Sequence, residues 1–107
     1  MAFRILIDED VRTDIQESID WYNEQKQGLG KQFYSQVKAT INRLKSNPFF
    51  QIRYDDVRCL PIKRFPFMIH FTVDESQKNV VIRAVFHTSR DPENWQARKQ
   101  KRANDGS

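Results

Sequence analysis

The sequence predicts an α+β domain, a helical hairpin packed on a mainly antiparallel sheet in the order β-α-α-β-β-β, with a short C-terminal helix. Three observations predict it. The first half holds two apolar stripes at helical spacing, joined by a glycine-containing link. The second half holds three runs in which apolar residues alternate with others. One further alternating run opens the chain.

Phe3, Ile5 and Ile7 alternate with Arg4 and Leu6, the pattern of a short strand. Asp8 or Asp10 then suits a helix N-cap, because a carboxylate accepts the free N–H groups at the positive end of a helix. Val11, Ile15, Ile19 and Tyr22 form one helical stripe, and Arg12, Asp14, Glu17 and Asp20 take the watered side. Gly28-Leu29-Gly30 breaks the pattern and permits a reversal. A second stripe runs through Leu29, Phe33, Val37, Ile41 and Leu44. Asn47-Pro48 should end it, since proline disfavours helix in the residue before it. So short a link predicts an antiparallel pair of helices.

Leu60 and Ile62 mark the next strand. Phe67, Ile69, Phe71 and Val73 mark another, after a bend at Phe65-Pro66. Val80, Ile82, Ala84 and Phe86 mark the last, across a polar turn at 74–79. The two-residue period places Phe67, Ile69, Phe71, Ile82, Ala84 and Phe86 on one face against the helices. The expected core is Ile5, Ile15, Phe33, Val37, Ile41, Phe67, Ile69, Ile82 and Ala84. Asp91 then caps a short helix, Pro92 fits its first position, Glu93 meets its positive end, and Trp95 packs back on the domain. Residues 1–99 are expected to form one domain, with 100–107 a polar tail that frays.

The length of 107 residues suits one domain with one modest core. No window approaches the roughly 18 apolar residues of a membrane span. The run Phe3 to Ile7 leads into Asp8-Glu9-Asp10, unlike a signal or transit peptide, so a cytoplasmic location is expected. Cys59 is the single cysteine, which excludes an intrachain disulfide and a cysteine-based zinc site. No metal or cofactor is expected. The net charge of +4 is uneven: residues 1–56 carry −1 and residues 57–107 carry +5. A basic half suggests an anionic partner such as nucleic acid, a nucleic-acid-bound enzyme or an acidic protein segment.

The candidate site residues gather in that half. Arg83, Val85 and His87 share a face by the two-residue period, as do Arg58, Leu60, Ile62 and Arg64. With Lys63 and Arg90 they make a candidate basic groove for phosphate or carboxylate. Trp95 and Arg98, in the basic stretch "WQARKQKRA", suit anchors of a binding surface.

The stretch "RCLPIKRFPFMIHFTVDESQKNVVIRAVFHTSRDPENW" resembles the C-terminal half of the ParE/RelE superfamily of bacterial type II toxins. The resemblance lies in Arg-x-Leu-x-Ile-x-x-Phe-Pro-Phe, an apolar hairpin, then Ala-Val-x-His-x-x-Arg-Asp-Pro and a tryptophan. The earlier "WYNEQKQGLGKQFYSQV" is similar too, so it spans roughly residues 3–97. The Phe-Pro-Phe and His-Thr-Ser-Arg-Asp-Pro pieces look more like the ParE branch.

The resemblance implies a toxin neutralised by a cognate antitoxin, in a hetero-oligomer, without a membrane. The antitoxin's acidic-hydrophobic segment would fold into an apolar groove between helical hairpin and sheet. ParE-like members inhibit DNA gyrase by binding. The alternative is the RelE type, which cleaves mRNA on the ribosome. On that reading His87 is the acid or base and Arg64, Arg83 and Arg90 clamp phosphate. Tyr22, Tyr34 and Tyr54 all precede the last three strands, so no tyrosine follows His87 to complete such a site. A third implied reading is an inactive member that only binds its antitoxin.

Overall fold

The computed structural model describes residues 2–89. The chain forms β1 (Arg4–Ile7), α1 (Glu9–Gln25), α2 (Leu29–Leu44), β2 (Ile52–Tyr54), β3 (Val57–Pro61), β4 (Phe67–Asp74) and β5 (Asn79–His87). The strands make one sheet in the order β1-β5-β4-β3-β2. β1 runs parallel to β5, and the other neighbours are antiparallel. The expected α+β arrangement and element order hold, with one addition. β2 is a three-residue edge strand whose exposed Ile52 and Arg53 gave no alternation to read. The expected C-terminal helix from Asp91 and the tail 100–107 lie outside the described residues.

The helical hairpin depends on its glycines. Gly28 has φ of +90°, a left-handed conformation that glycine adopts without a Cβ clash. Gly30 serves close approach. A Cβ there would lie 2.5 Å from the Ile19 carbonyl oxygen and 2.7 Å from the Asn23 side chain. Asn23 Oδ1 accepts the Gly30 N–H at 2.9 Å and fastens α1 to α2. The helices then present Val11, Tyr22, Phe33, Val37 and Leu44 to the sheet, which supplies Leu60, Ile62, Ile69, Phe71, Val80 and Ile82. Tyr22, Phe33, Phe65 and Phe67 form an aromatic cluster with centroids 5.0–6.1 Å apart. Such tilted and edge-on pairs add to what burial alone contributes.

Of the expected core, Phe33, Val37, Ile69 and Ile82 are fully buried, while Ile5, Ile15, Ile41 and Phe67 are partly buried against them. Ala84 is buried, but not in this cluster. The reason is a bulge in β5. Phe71 pairs with Ile82, yet His70 pairs with Ala84, so Arg83 is an extra residue. A bulge of this kind shifts every later side chain to the other face. Val85 therefore joins the helix-side core, and Ala84 and Phe86 turn to the reverse face with His70. The Val85 N–H donates to Asp14 Oδ2 on α1 at 3.2 Å, so the irregular backbone is satisfied from the helix.

Candidate functional site

The same bulge rearranges the predicted basic groove. Arg83 does not line a face with His87. Its Nη1 lies 3.2 Å from Asp8 Oδ2, and its Nε donates to Thr72 Oγ1 at 3.2 Å. Asp8 does take the N-cap position of α1, but its side chain makes no capping bond and holds Arg83 instead. Arg58 is similarly engaged. Its Nη1 donates to the Phe50 carbonyl at 2.9 Å, and its guanidinium stacks over Phe49, 5.4 Å from the ring centre. Both arginines hold the fold together.

Lys63, Arg64 and His87 meet at one end of the sheet. Lys63 and Arg64 are exposed just after β3, and Arg64 has φ of +73°. The Thr88 N–H donates to the Pro66 carbonyl at 2.8 Å, which ties the chain after β5 to this turn. His87 is exposed and packs edge-on against Phe67 at 5.3 Å. The Ser89 N–H donates to His87 Nδ1 at 3.1 Å, and Ser89 Oγ lies 2.7 Å from the same atom. An accepting Nδ1 places the proton of the neutral ring on Nε2. Arg90, Asp91, Pro92, Trp95 and Arg98 lie outside the described residues.

A second feature was placed differently by the sequence. An open groove of about 520 Å³ lies between the two helices and the end of β1. Ile7, Ile15, Ile19, Val37 and Ile41 line it, with Arg12, Gln16, Tyr34 and Lys38. Lys38 Nζ stands 4.6 Å over the exposed Tyr34 ring. The sequence reading put a groove between hairpin and sheet and assigned Arg12 to plain solvent. The available signal was Tyr34, an aromatic residue one position beyond the Phe33 stripe.

On the reverse face, His70 Nδ1 lies 3.2 Å from the Tyr54 hydroxyl and 3.3 Å from Cys59 Sγ. Burial pushes the Cys59 thiol up to about 11, against a smaller lowering by Arg53. It therefore stays a thiol at neutral pH and is no nucleophile there. Among the described residues no group of His, Cys, Asp and Glu side chains could hold a metal ion. No helix among them is long and apolar enough to cross a membrane.

The profile of the ParE toxin of type II toxin–antitoxin system, parDE, matches residues 5–92. The chain belongs to the ParE toxin family. Among solved structures this ParE-family chain is similar to the chromosomal ParDE toxin–antitoxin system from P. aeruginosa. That likeness has a TM-score of 0.70 at 16% identity, over 80% of this chain and 96% of that one. A mutant of the E. coli toxin RelE in the free state gives 0.68 at 14%, over 95% and 98%. The RelBE toxin–antitoxin complex from Mycobacterium tuberculosis gives 0.61 at 14%, over 81% and 99%. At these identities the likeness speaks for the shared fold. No curated protein matches the sequence. The family places the chain among type II toxins of the ParE/RelE superfamily.

Proposed function

We propose that this toxin acts by binding DNA gyrase, in the cytoplasm, and that a cognate antitoxin neutralises it by occupying the α1–α2 groove. What carries the reading is the engagement of the predicted phosphate clamp. RNA cleavage needs a group to activate the 2′-hydroxyl, a proton donor for the leaving oxygen, and cations around the phosphate in transit. Of the cations proposed for that work, Arg83 is spent on Asp8 and Thr72. Arg58, from the wider basic groove, is spent on Phe50. His87, Lys63 and Arg64 remain on an open, exposed end of the sheet, which suits docking to a large anionic or acidic partner. Trp95 and Arg98, farther along the sequence, are residue types that suit anchors for such a partner.

The groove fits an acidic, amphipathic segment. Its lining is largely apolar, and its charged members, Arg12 and Lys38, are both basic. Complementary charge would speed the encounter and fix the register. The toxin and antitoxin would then persist as a hetero-oligomer.

The test compares supercoiling by purified gyrase with cleavage of ribosome-bound mRNA, using the wild type, His87→Ala and Arg64→Glu. We expect supercoiling to be inhibited and mRNA to stay intact. His87→Ala should keep most of its inhibition, whereas Arg64→Glu should weaken it. Cuts in mRNA that fall about 10²–10⁴-fold with His87→Ala would make the chain a ribonuclease with His87 as acid or base.

A further inference from the structure

Trp21 is the most exposed large apolar side chain among the described residues, at 55%. The fold draws little from an indole left half in water. Yet the ring is firmly placed. It meets Tyr22 edge-on at 5.1 Å, and Tyr22 is itself buried in the aromatic cluster. An exposed aromatic ring that is already held in place loses little entropy when a partner covers it. Ring contacts also fix where Trp21 stands. Tyr22 meets Phe65, next to Arg64, at 5.0 Å and Phe67 at 6.1 Å, and Phe67 meets His87 at 5.3 Å. The helix phase agrees. Trp21 lies two turns beyond Asp14 on the same side of α1, and Asp14 reaches the Val85 N–H on β5. Trp21 therefore shares one end of the molecule with Lys63, Arg64 and His87.

The same end carries a cleft of about 340 Å³ between α2 and the turn after β3, lined by Leu29, Gln32, Ser35, Gln36, Arg64 and Phe65. Its one charged member is Arg64, and the amides and hydroxyl beside it are neutral, a set that suits a carboxylate side chain. Arg64 keeps its left-handed φ there, a conformation that costs a non-glycine residue energy and that clusters at functional sites. The flank of Trp21 separates protein from nucleic acid as the partner. Glu17 and Glu24, one turn before and after it, are both exposed. Two carboxylates beside the indole repel a phosphate backbone. A protein surface can instead offer an apolar pocket to the indole and acids to Lys63 and Arg64. We infer that Trp21 is the apolar anchor of the target-binding surface, and that its occupant is the protein target itself, with an apolar pocket for the indole beside an acidic side chain for the Arg64 cleft. The inference rests on reading the basic end of the sheet as the surface that receives the target.

The test uses the full-length toxin, its affinity for purified gyrase with and without DNA, and growth arrest. Trp21→Ala should weaken binding to DNA-free gyrase about tenfold or more and weaken arrest with it, as loss of an aromatic anchor does. Trp21→Phe keeps a ring and should retain most of the affinity. Ile52→Ala removes a comparably exposed apolar side chain, 48%, from the edge strand β2 and should bind like the wild type. Affinity of Trp21→Ala for the antitoxin should be unchanged, because Trp21 does not line the α1–α2 groove. If Trp21→Ala fails to fold, Trp21→Gln, which suits an exposed helix position, decides in its place. A folded variant with wild-type affinity and arrest would overturn the inference. So would a loss of affinity seen only when gyrase carries DNA, which would give Trp21 to nucleic acid. A wild type that arrests growth without binding gyrase would remove the gyrase reading instead. Weakened arrest by folded Trp21→Ala would then still keep Trp21 in the target surface, and unchanged arrest would take it out.

Discussion

At the scale of single residues, the chemistry that the sequence advertises is mostly used internally. Arg83 closes on Asp8, Arg58 braces the segment at Phe49 and Phe50, and Asp14 serves the backbone of the bulge. Cys59 is the clearest case, because its environment has a measurable consequence. Burial holds its pKa near 11 in the folded chain against an ordinary value of 9. Below pH 9 the thiol is neutral in both states and this contribution to stability is complete. Above it the unfolded thiol ionises first, so the contribution is lost as pH rises from 9 through about 11. Tyr22, whose pKa burial also raises above 10, loses its share in the same direction at higher pH. Urea midpoints taken from about pH 8 to about pH 11 should therefore fall. They should fall less steeply for Cys59→Ala. Equal slopes for the two proteins would mean that burial of the thiol does not couple to folding.

At the scale of elements, the two glycines of the hairpin give a sharp pair of expectations. Gly28 needs its left-handed φ but has open space, whereas Gly30 needs the space. Gly28→Ala should cost about 1–2 kcal/mol, and Gly28→Asn should recover most of it, since asparagine visits that region. Gly30→Ala should cost about 1–3 kcal/mol by overpacking against the Ile19 backbone, with no recovery by asparagine. Urea denaturation of the four proteins checks this, and a Gly30→Asn as stable as Gly28→Asn would refute the distinction. The hairpin itself was legible in the sequence because two apolar stripes and a Gly-Leu-Gly link agree with one another. β4 and the start of β5 were legible for the same reason. The bulge was not, because alternation looks unbroken through Val80, Ile82, Ala84 and Phe86. One extra residue moved Ala84 and Phe86 to the reverse face and parted Arg83 from His87. Only the grouping of Arg83 with His87 was lost there, through a backbone irregularity whose partner, Asp14, lies 71 residues earlier in the chain.

At the scale of the molecule, charge and shape separate two surfaces. The first half carries −1 and contributes most of the α1–α2 groove. The second carries +5, and its exposed Lys63, Arg64 and His87 lie at one end of the sheet. If the groove receives the antitoxin and the basic end receives the target, toxicity and neutralisation are separable by mutation. Arg12 and Tyr34 suit the purpose. Both line the groove, both are exposed, and neither belongs to the buried core, so the fold should tolerate their replacement. Loss of an aromatic anchor costs about 2 kcal/mol at a well-packed interface, and a reversed charge at the rim adds repulsion toward an acidic partner. Arg12→Glu combined with Tyr34→Ala should thus weaken antitoxin binding by about 30-fold or more. Growth arrest should be as strong as with the wild type, but co-expression of a cognate antitoxin should no longer restore growth. Titration calorimetry with the purified antitoxin measures the affinity, and thermal unfolding confirms that the variant is folded. Full rescue with unchanged affinity would place the antitoxin elsewhere. Loss of arrest by a folded variant would instead join the groove to the target-binding surface and remove the division between the two.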